Sequence, residues 1–148
     1  MKIFPLIIIF ILLIPNTYSQ EFDYIIGYQR QHYNVVELGV AIAEREDGLK
    51  IYKNFHICGE LLFGPSEPSL FGIKTGIDFT YVIFNFSGQA SYYFNGNDKA
   101  FLLRPELGFS IFGFADLTYG YSVFIKRENL NMVNNVISFR FKIPFSLY

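Results

Sequence analysis

From Phe101 to Val123 the chain places apolar residues at every second position. Phe101, Leu103, Pro105, Leu107, Phe109 and Ile111 share one parity, and Arg104, Glu106, Gly108 and Ser110 share the other. After a Phe112-Gly113-Phe114 corner, Ala115, Leu117, Tyr119, Tyr121 and Val123 alternate with Asp116, Thr118, Gly120 and Ser122. A period of two belongs to a strand whose two faces meet different surroundings. Two such runs joined by a short corner predict a hairpin. No long stretch beyond the N-terminus keeps the i, i+3, i+4, i+7 spacing of an amphipathic helix.

The same alternation marks six further segments. Phe22, Tyr24, Ile26 and Tyr28 oppose Asp23, Gly27 and Gln29, and Val36 to Ile42 oppose Glu37, Gly39 and Ala41. Phe55, Ile57 and Leu61 oppose Asn54, His56, Cys58 and Glu60, while Phe71, Ile73, Ile77 and Phe79 oppose Gly72, Lys74, Gly76 and Asp78. Phe84, Phe86, Ala90 and Tyr92 oppose Asn85, Ser87, Gln89 and Ser91, and Ile137 to Ile143 oppose Ser138, Arg140 and Lys142. Eight strands over residues 20–148 leave about sixteen residues for each strand with its connection, compatible with the roughly 9 to 11 residues of a tilted membrane strand.

Alternation alone does not say which face points inward. In a soluble sandwich the apolar parity faces the core; in a membrane barrel it faces lipid and the polar parity lines the lumen. Hydrophobic residues make up 51% of the chain, aromatics 20% and charged residues 17%, against about 25% charged in an ordinary soluble domain. The charges within strands lie on the polar parity, with Glu44 and Lys53 as exceptions near strand ends. That parity also carries Gly27, Gly39, Gly72, Gly76, Gly108 and Gly120. A water-washed face has no use for so much glycine, whereas an eight-stranded lumen is barely wide enough for side chains. The expectation is an all-β fold: an eight-stranded antiparallel transmembrane up-and-down β-barrel.

Residues 1–19 stand apart. Lys2 precedes the apolar run Ile3 to Ile14, and Thr17-Tyr18-Ser19 supplies small residues at a cleavage site, the pattern of a signal peptide. The barrel domain is expected over 20–148, and the localisation is the bacterial outer membrane. Without Lys2 the chain's twelve Lys and Arg become eleven against thirteen Asp and Glu; no basic surface points to nucleic acid. Cys58 is the only cysteine, which excludes an internal disulfide, and with two histidines it excludes a Cys/His zinc cluster.

If the first strand runs outward, the tight corners near Tyr81 and at 112–114 fall on the periplasmic side. The longer connections Gly64 to Ser69, Asn95 to Lys99 and Lys126 to Asn134 then fall outside, the asymmetry expected of such barrels. Pro105 breaks a local rule, because it cannot donate to a ladder with neighbours on both sides. Either a bulge sits at Arg104-Pro105 or the strand starts later.

The polar parity gathers Asp23, Glu37, Glu60, Asp78, Glu106 and Asp116 with Lys74, Arg104, Arg140 and Lys142. Mixed charges in a confined interior suit acid/base chemistry or ion guidance, but paired charges that fill and plug the lumen are the plainer reading. Arg104 and Arg140, as forked donors, are the best clamps for carboxylates such as Glu37 and Glu106. His56 and Cys58 share a parity, yet residues two apart in a strand lie about 6 to 7 Å apart; lumen filling is the simpler role. Tyr24, Tyr28, Tyr92, Tyr119 and Tyr121 suit an interfacial girdle. No nucleophile elbow, phosphate loop or metal-ligand run occurs, so no cofactor is expected.

The stretches IIGYQRQHYNVVELGV (Ile25 to Val40) and RPELGFSIFGFADLTYGYS (Arg104 to Ser122) resemble small eight-stranded outer-membrane barrels of Gram-negative bacteria, particularly uncharacterised Bacteroidetes-type members. The resemblance implies insertion by the barrel-assembly machinery, which reads a last strand ending in an aromatic. Phe139, Phe141, Ile143, Phe145 and Tyr148 look similar to that signal, while Pro144 and the parity shift at Tyr148 depart from it. The expected role is structural or interactive, through outer-membrane lipid and a surface partner at the outer loops, without catalysis. Two alternatives stand beside it: a lipid-modifying outer-membrane enzyme, with His32 the sole outer-leaflet histidine, and a soluble exported barrel holding a hydrophobic ligand among inward-facing aromatics.

Overall fold

The computed structural model describes residues 20–46, 51–64, 69–96, 98–128, 130 and 132–145. The expected signal peptide and the terminal Tyr148 lie outside the described residues. Within them the chain forms β1 (Gln20–Arg30), β2 (Asn34–Glu46), β3 (Ile51–Phe63), β4 (Leu70–Tyr81), β5 (Phe84–Asn95), β6 (Asp98–Ile111), β7 (Ala115–Tyr121), β8 (Val123–Glu128) and β9 (Asn135–Phe145). β7 and β8 are two halves of one arm, both paired with β6. Consecutive strands from β1 to β7 pair antiparallel, β7 pairs with β9, and β9 pairs with β1 to close an eight-stranded ring.

The register fixes the ring's geometry. One row of facing residues runs Gln20, Glu44, Lys53, Phe79, Phe86, Leu107, Tyr119, Ile137 and returns to β1 at Arg30, ten residues beyond its start. Eight strands with that stagger tilt by about 40° and leave an interior just wide enough for side chains. Closure removes the sheet edges round the ring, and β8 extends beyond it paired with β6 alone.

Pro105 satisfies neither sequence expectation. β6 begins at Asp98 and runs through Pro105 without a slip, for Glu106 faces Gly120 and Leu103 faces Val123. The bulge lies earlier, between Phe101 and Leu102. On the opposing arm β7 stops at Tyr121, which the register sets opposite Pro105, and β8 starts at Val123. Between them, Ser122 N–H donates to the Asn134 carbonyl at 2.7 Å, and the Ser122 carbonyl accepts from Asn134 Nδ2 at 2.8 Å.

Two connections are shorter than expected. Asn95 pairs with Asp98, so most of the expected Asn95 to Lys99 loop is strand, with Gly96 at φ +58°, and β8 carries the sixth hairpin's arm out to Glu128, three residues past Ile125. At the end bearing Gln20 and Phe145, here the near end, the corners at Val82 and Phe112 hold non-glycine residues at φ 57° and 50°. Gly113, at φ +75°, packs on the Tyr52 ring, where a Cβ would come within 2.8 Å of Cγ. Phe114 lies beneath the Arg45 guanidinium, 5.1 Å from ring centroid to Cζ. This corner thereby covers the near mouth.

The two faces of the ring have opposite chemistry. Large apolar side chains on the outside are 38% to 65% exposed, while the alternate residues are buried. The interior is tiered. At the far end, Tyr33, Val35, Leu62, Leu70, Tyr93, Ala100 and Leu102 pack with Leu130 and Met132 from the β8–β9 connection into an apolar cap. Below it lie the polar residues.

Candidate functional site

All ten charged residues singled out from the polar parity point into the ring and are at most 3% exposed. Strand alternation alone puts them there. The ring's curvature then brings residues of distant strands together.

Arg140 on β9 is the hub. Its Nη2 donates to Glu106 Oε2 at 2.7 Å, Nη1 lies 3.4 Å from Asp78 Oδ1, and Nε lies 3.9 Å from Glu37 Oε1. Glu106 also accepts from Thr118 Oγ1 at 2.7 Å and Ser138 Oγ at 3.2 Å. Toward the near end, Lys142 Nζ bridges Asp78 Oδ2 at 2.9 Å and Asp116 Oδ2 at 2.6 Å, and Ser110 Oγ donates to Asp116 Oδ1 at 2.5 Å. Toward the far end, Lys74 pairs with Glu37 and lies 3.3 Å from Glu60 Oε1.

Arg104 differs from expectation. Among the described residues it clamps no carboxylate directly: Nη1 donates to Gln29 Oε1 at 2.6 Å and Nε to Ser122 Oγ at 2.9 Å. Gln29 passes the contact on, its Nε2 donating to Glu37 Oε2 at 2.6 Å and Glu60 Oε1 at 2.8 Å. A neutral amide that both accepts and donates can thus join a cation to two anions. Asp23 stands outside the central network, held by Arg45 Nη2 at 2.6 Å near the mouth. Gln29 and Arg45 were overlooked as site residues. Gln29 has the right parity but no charge to flag it, and Arg45 reads from sequence as part of a turn.

Space for these side chains comes from the inward glycines. A Cβ at Gly27 would collide with the Glu37 side chain, and one at Gly120 would meet Glu106 Cγ at 2.8 Å and Arg104 Cδ at 3.0 Å.

His56 and Cys58 do not form a pair. His56 Nδ1 lies 3.4 Å from Asn54 Oδ1 and 3.6 Å from Asp78 Oδ2, whereas Cys58 packs with Ile25 and Ala41. Among the described residues no group of three or more His, Cys, Asp or Glu could hold a metal ion. The girdle tyrosines are exposed; Tyr28 Oη donates to Asn34 Oδ1 at 2.6 Å and Tyr119 Oη to Asn135 Oδ1 at 2.8 Å, both on the far-end side. No known family model matches the chain, and no curated protein matches it.

Proposed function

We propose that the chain is a small outer-membrane β-barrel whose lumen is plugged by its own charges, with a structural or surface-interaction role and no catalysis. The observation that carries this reading is the inversion of the fold, with forty large apolar side chains about half exposed outside and ten charged ones buried inside. Leaving that outer surface in water forgoes about 30 kcal/mol or more, from roughly 1.5 to 3 kcal/mol per fully buried large side chain. Domain stabilities are about 5 to 15 kcal/mol, so hydrocarbon is the matching solvent. A soluble barrel holding a hydrophobic ligand would require the aromatic rings inside, opposite to their placement here.

The plugged lumen supports a non-conducting role. Each central carboxylate meets a cation or a hydrogen-bond donor, and the far mouth is closed by the apolar cap. Insertion is tested by refolding residues 20–148 with lipid vesicles and, separately, in buffer without detergent. Flotation with vesicles and aggregation in buffer are expected. A monodisperse folded monomer in buffer overturns the reading.

A further inference from the structure

The outer face is not uniformly ridged. Glu44, Lys53, Phe79, Phe86 and Leu107 form one row across β2 to β6. Beside it runs the row Ile42, Phe55, Ile77, Gly88 and Pro105. Both rows line a hollow of about 700 Å³. The hollow exists because Gly88 contributes no side chain and Pro105 only a flat ring; a Cβ at Gly88 would meet nothing within 4 Å. A second hollow of about 450 Å³ continues past Gly88, along Thr75, Ala90 and Leu103.

We propose that this groove binds one acyl chain of a zwitterionic glycerophospholipid whose headgroup sits between Glu44 and Lys53. The inference rests on the membrane reading above. Two features select the occupant. Four strand spacings of about 4.8 Å make the groove about 19 Å long, the length of a long acyl chain, and the middle of its floor is apolar. At its near end, Glu44 and Lys53 face each other across the β2–β3 pair and are the only outward charges on either row. No ion pair engages them among the described residues. An ammonium and a phosphate carried on one headgroup satisfy both charges at once. A purely anionic headgroup satisfies Lys53 and is repelled by Glu44.

The test uses the full mature barrel in mild detergent, with native mass spectrometry after addition of phosphatidylethanolamine or phosphatidylglycerol. Wild type is expected to retain phosphatidylethanolamine in preference to phosphatidylglycerol. Gly88→Leu fills the groove from a position with open space, so the fold is expected to persist while lipid retention falls about tenfold, the equivalent of about 1.4 kcal/mol. Glu44→Lys should reverse the preference toward phosphatidylglycerol. Equal retention by wild type and a folded Gly88→Leu overturns the groove, as does a wild-type dimer that Gly88→Leu dissociates. If wild type is instead a folded monomer that does not associate with vesicles, the membrane reading falls and takes the groove with it; insertion with equal retention sinks the groove alone.

Discussion

Replacing Arg140 by methionine tests whether the interior charges are held away from water. Arg140 is fully buried and is the only cation within ion-pair distance of Glu106 among the described residues. Asp78 keeps Lys142 and Glu37 keeps Lys74 when it is gone, so the damage concentrates on Glu106. That carboxylate would retain only the hydroxyls of Thr118 and Ser138. Removing one partner of a buried pair costs about 3 to 5 kcal/mol, because the other charge stays desolvated. Arg140→Met should therefore lose about that much, and Arg140→Met/Glu106→Gln should lose clearly less than the single substitution. The two positions should couple by up to about 3 kcal/mol. Urea titration of the vesicle-folded protein, followed by far-ultraviolet circular dichroism because the chain has no tryptophan, measures all four corners of the cycle. A loss below about 1 kcal/mol for Arg140→Met, or strict additivity, would mean that water screens the lumen as it does a surface pair, and the plug would be refuted.

Three further outcomes are open to direct measurement. Cys58 is buried beside Ile25 and Ala41, so a maleimide should leave the folded barrel unlabelled and modify it only after urea unfolding; rapid labelling of the folded form would place water in the lumen. Val82→Asn should raise stability by about 1 kcal/mol, since a β-branched residue is strained at the φ of 57° found there, and an unchanged or lower urea midpoint contradicts that. Asn134→Ala removes the side-chain donor that reaches the Ser122 carbonyl at the break between β7 and β8, with an expected loss of about 1 kcal/mol; no loss in the urea midpoint would show that the bond is dispensable.

The strands were legible because a single physical rule produces them. A residue such as Leu107 or Glu106 must face one of two unlike surroundings, and its parity records which. Glycines on the charged parity, such as Gly27 and Gly120, also had a readable cause in the bulk of Glu37, Glu106 and Arg104 beside them. Contacts across the ring were less legible. Nothing in the spacing of Arg104 and Gln29, seventy-five residues apart, says that they meet, because that depends on the ten-residue stagger rather than on local pattern. The apolar cap was hidden for a different reason. Val35, Leu62, Leu70 and Leu102 lie on the inward parity, yet their apolar neighbours on the outward parity make each strand end look like an unbroken hydrophobic run. Pro105 misled because the interruption falls on the opposing arm, between Tyr121 and Val123, while its own strand runs on unbroken.

The placement of the charges also constrains how such a ring can form. Asp78 on β4 and its partners Arg140 and Lys142 on β9 are separated by three intervening strands in either direction round the ring. In an open sheet, four spacings of about 4.8 Å hold them about 19 Å apart; only curvature into a closed ring brings them together. Lys74 and Glu37 are separated by one intervening strand, so they can approach as soon as the sheet curls. Before closure, then, the inward face must stay wet, because an unpaired charge is costly to desolvate. Pairing β1 with β9 closes the backbone ladder and brings Arg140 and Lys142 across to Asp78 in the same step. The lumen can therefore dry only as the seam closes, which couples the strongest interior contacts to the last strand pairing and leaves a partly closed ring with neither.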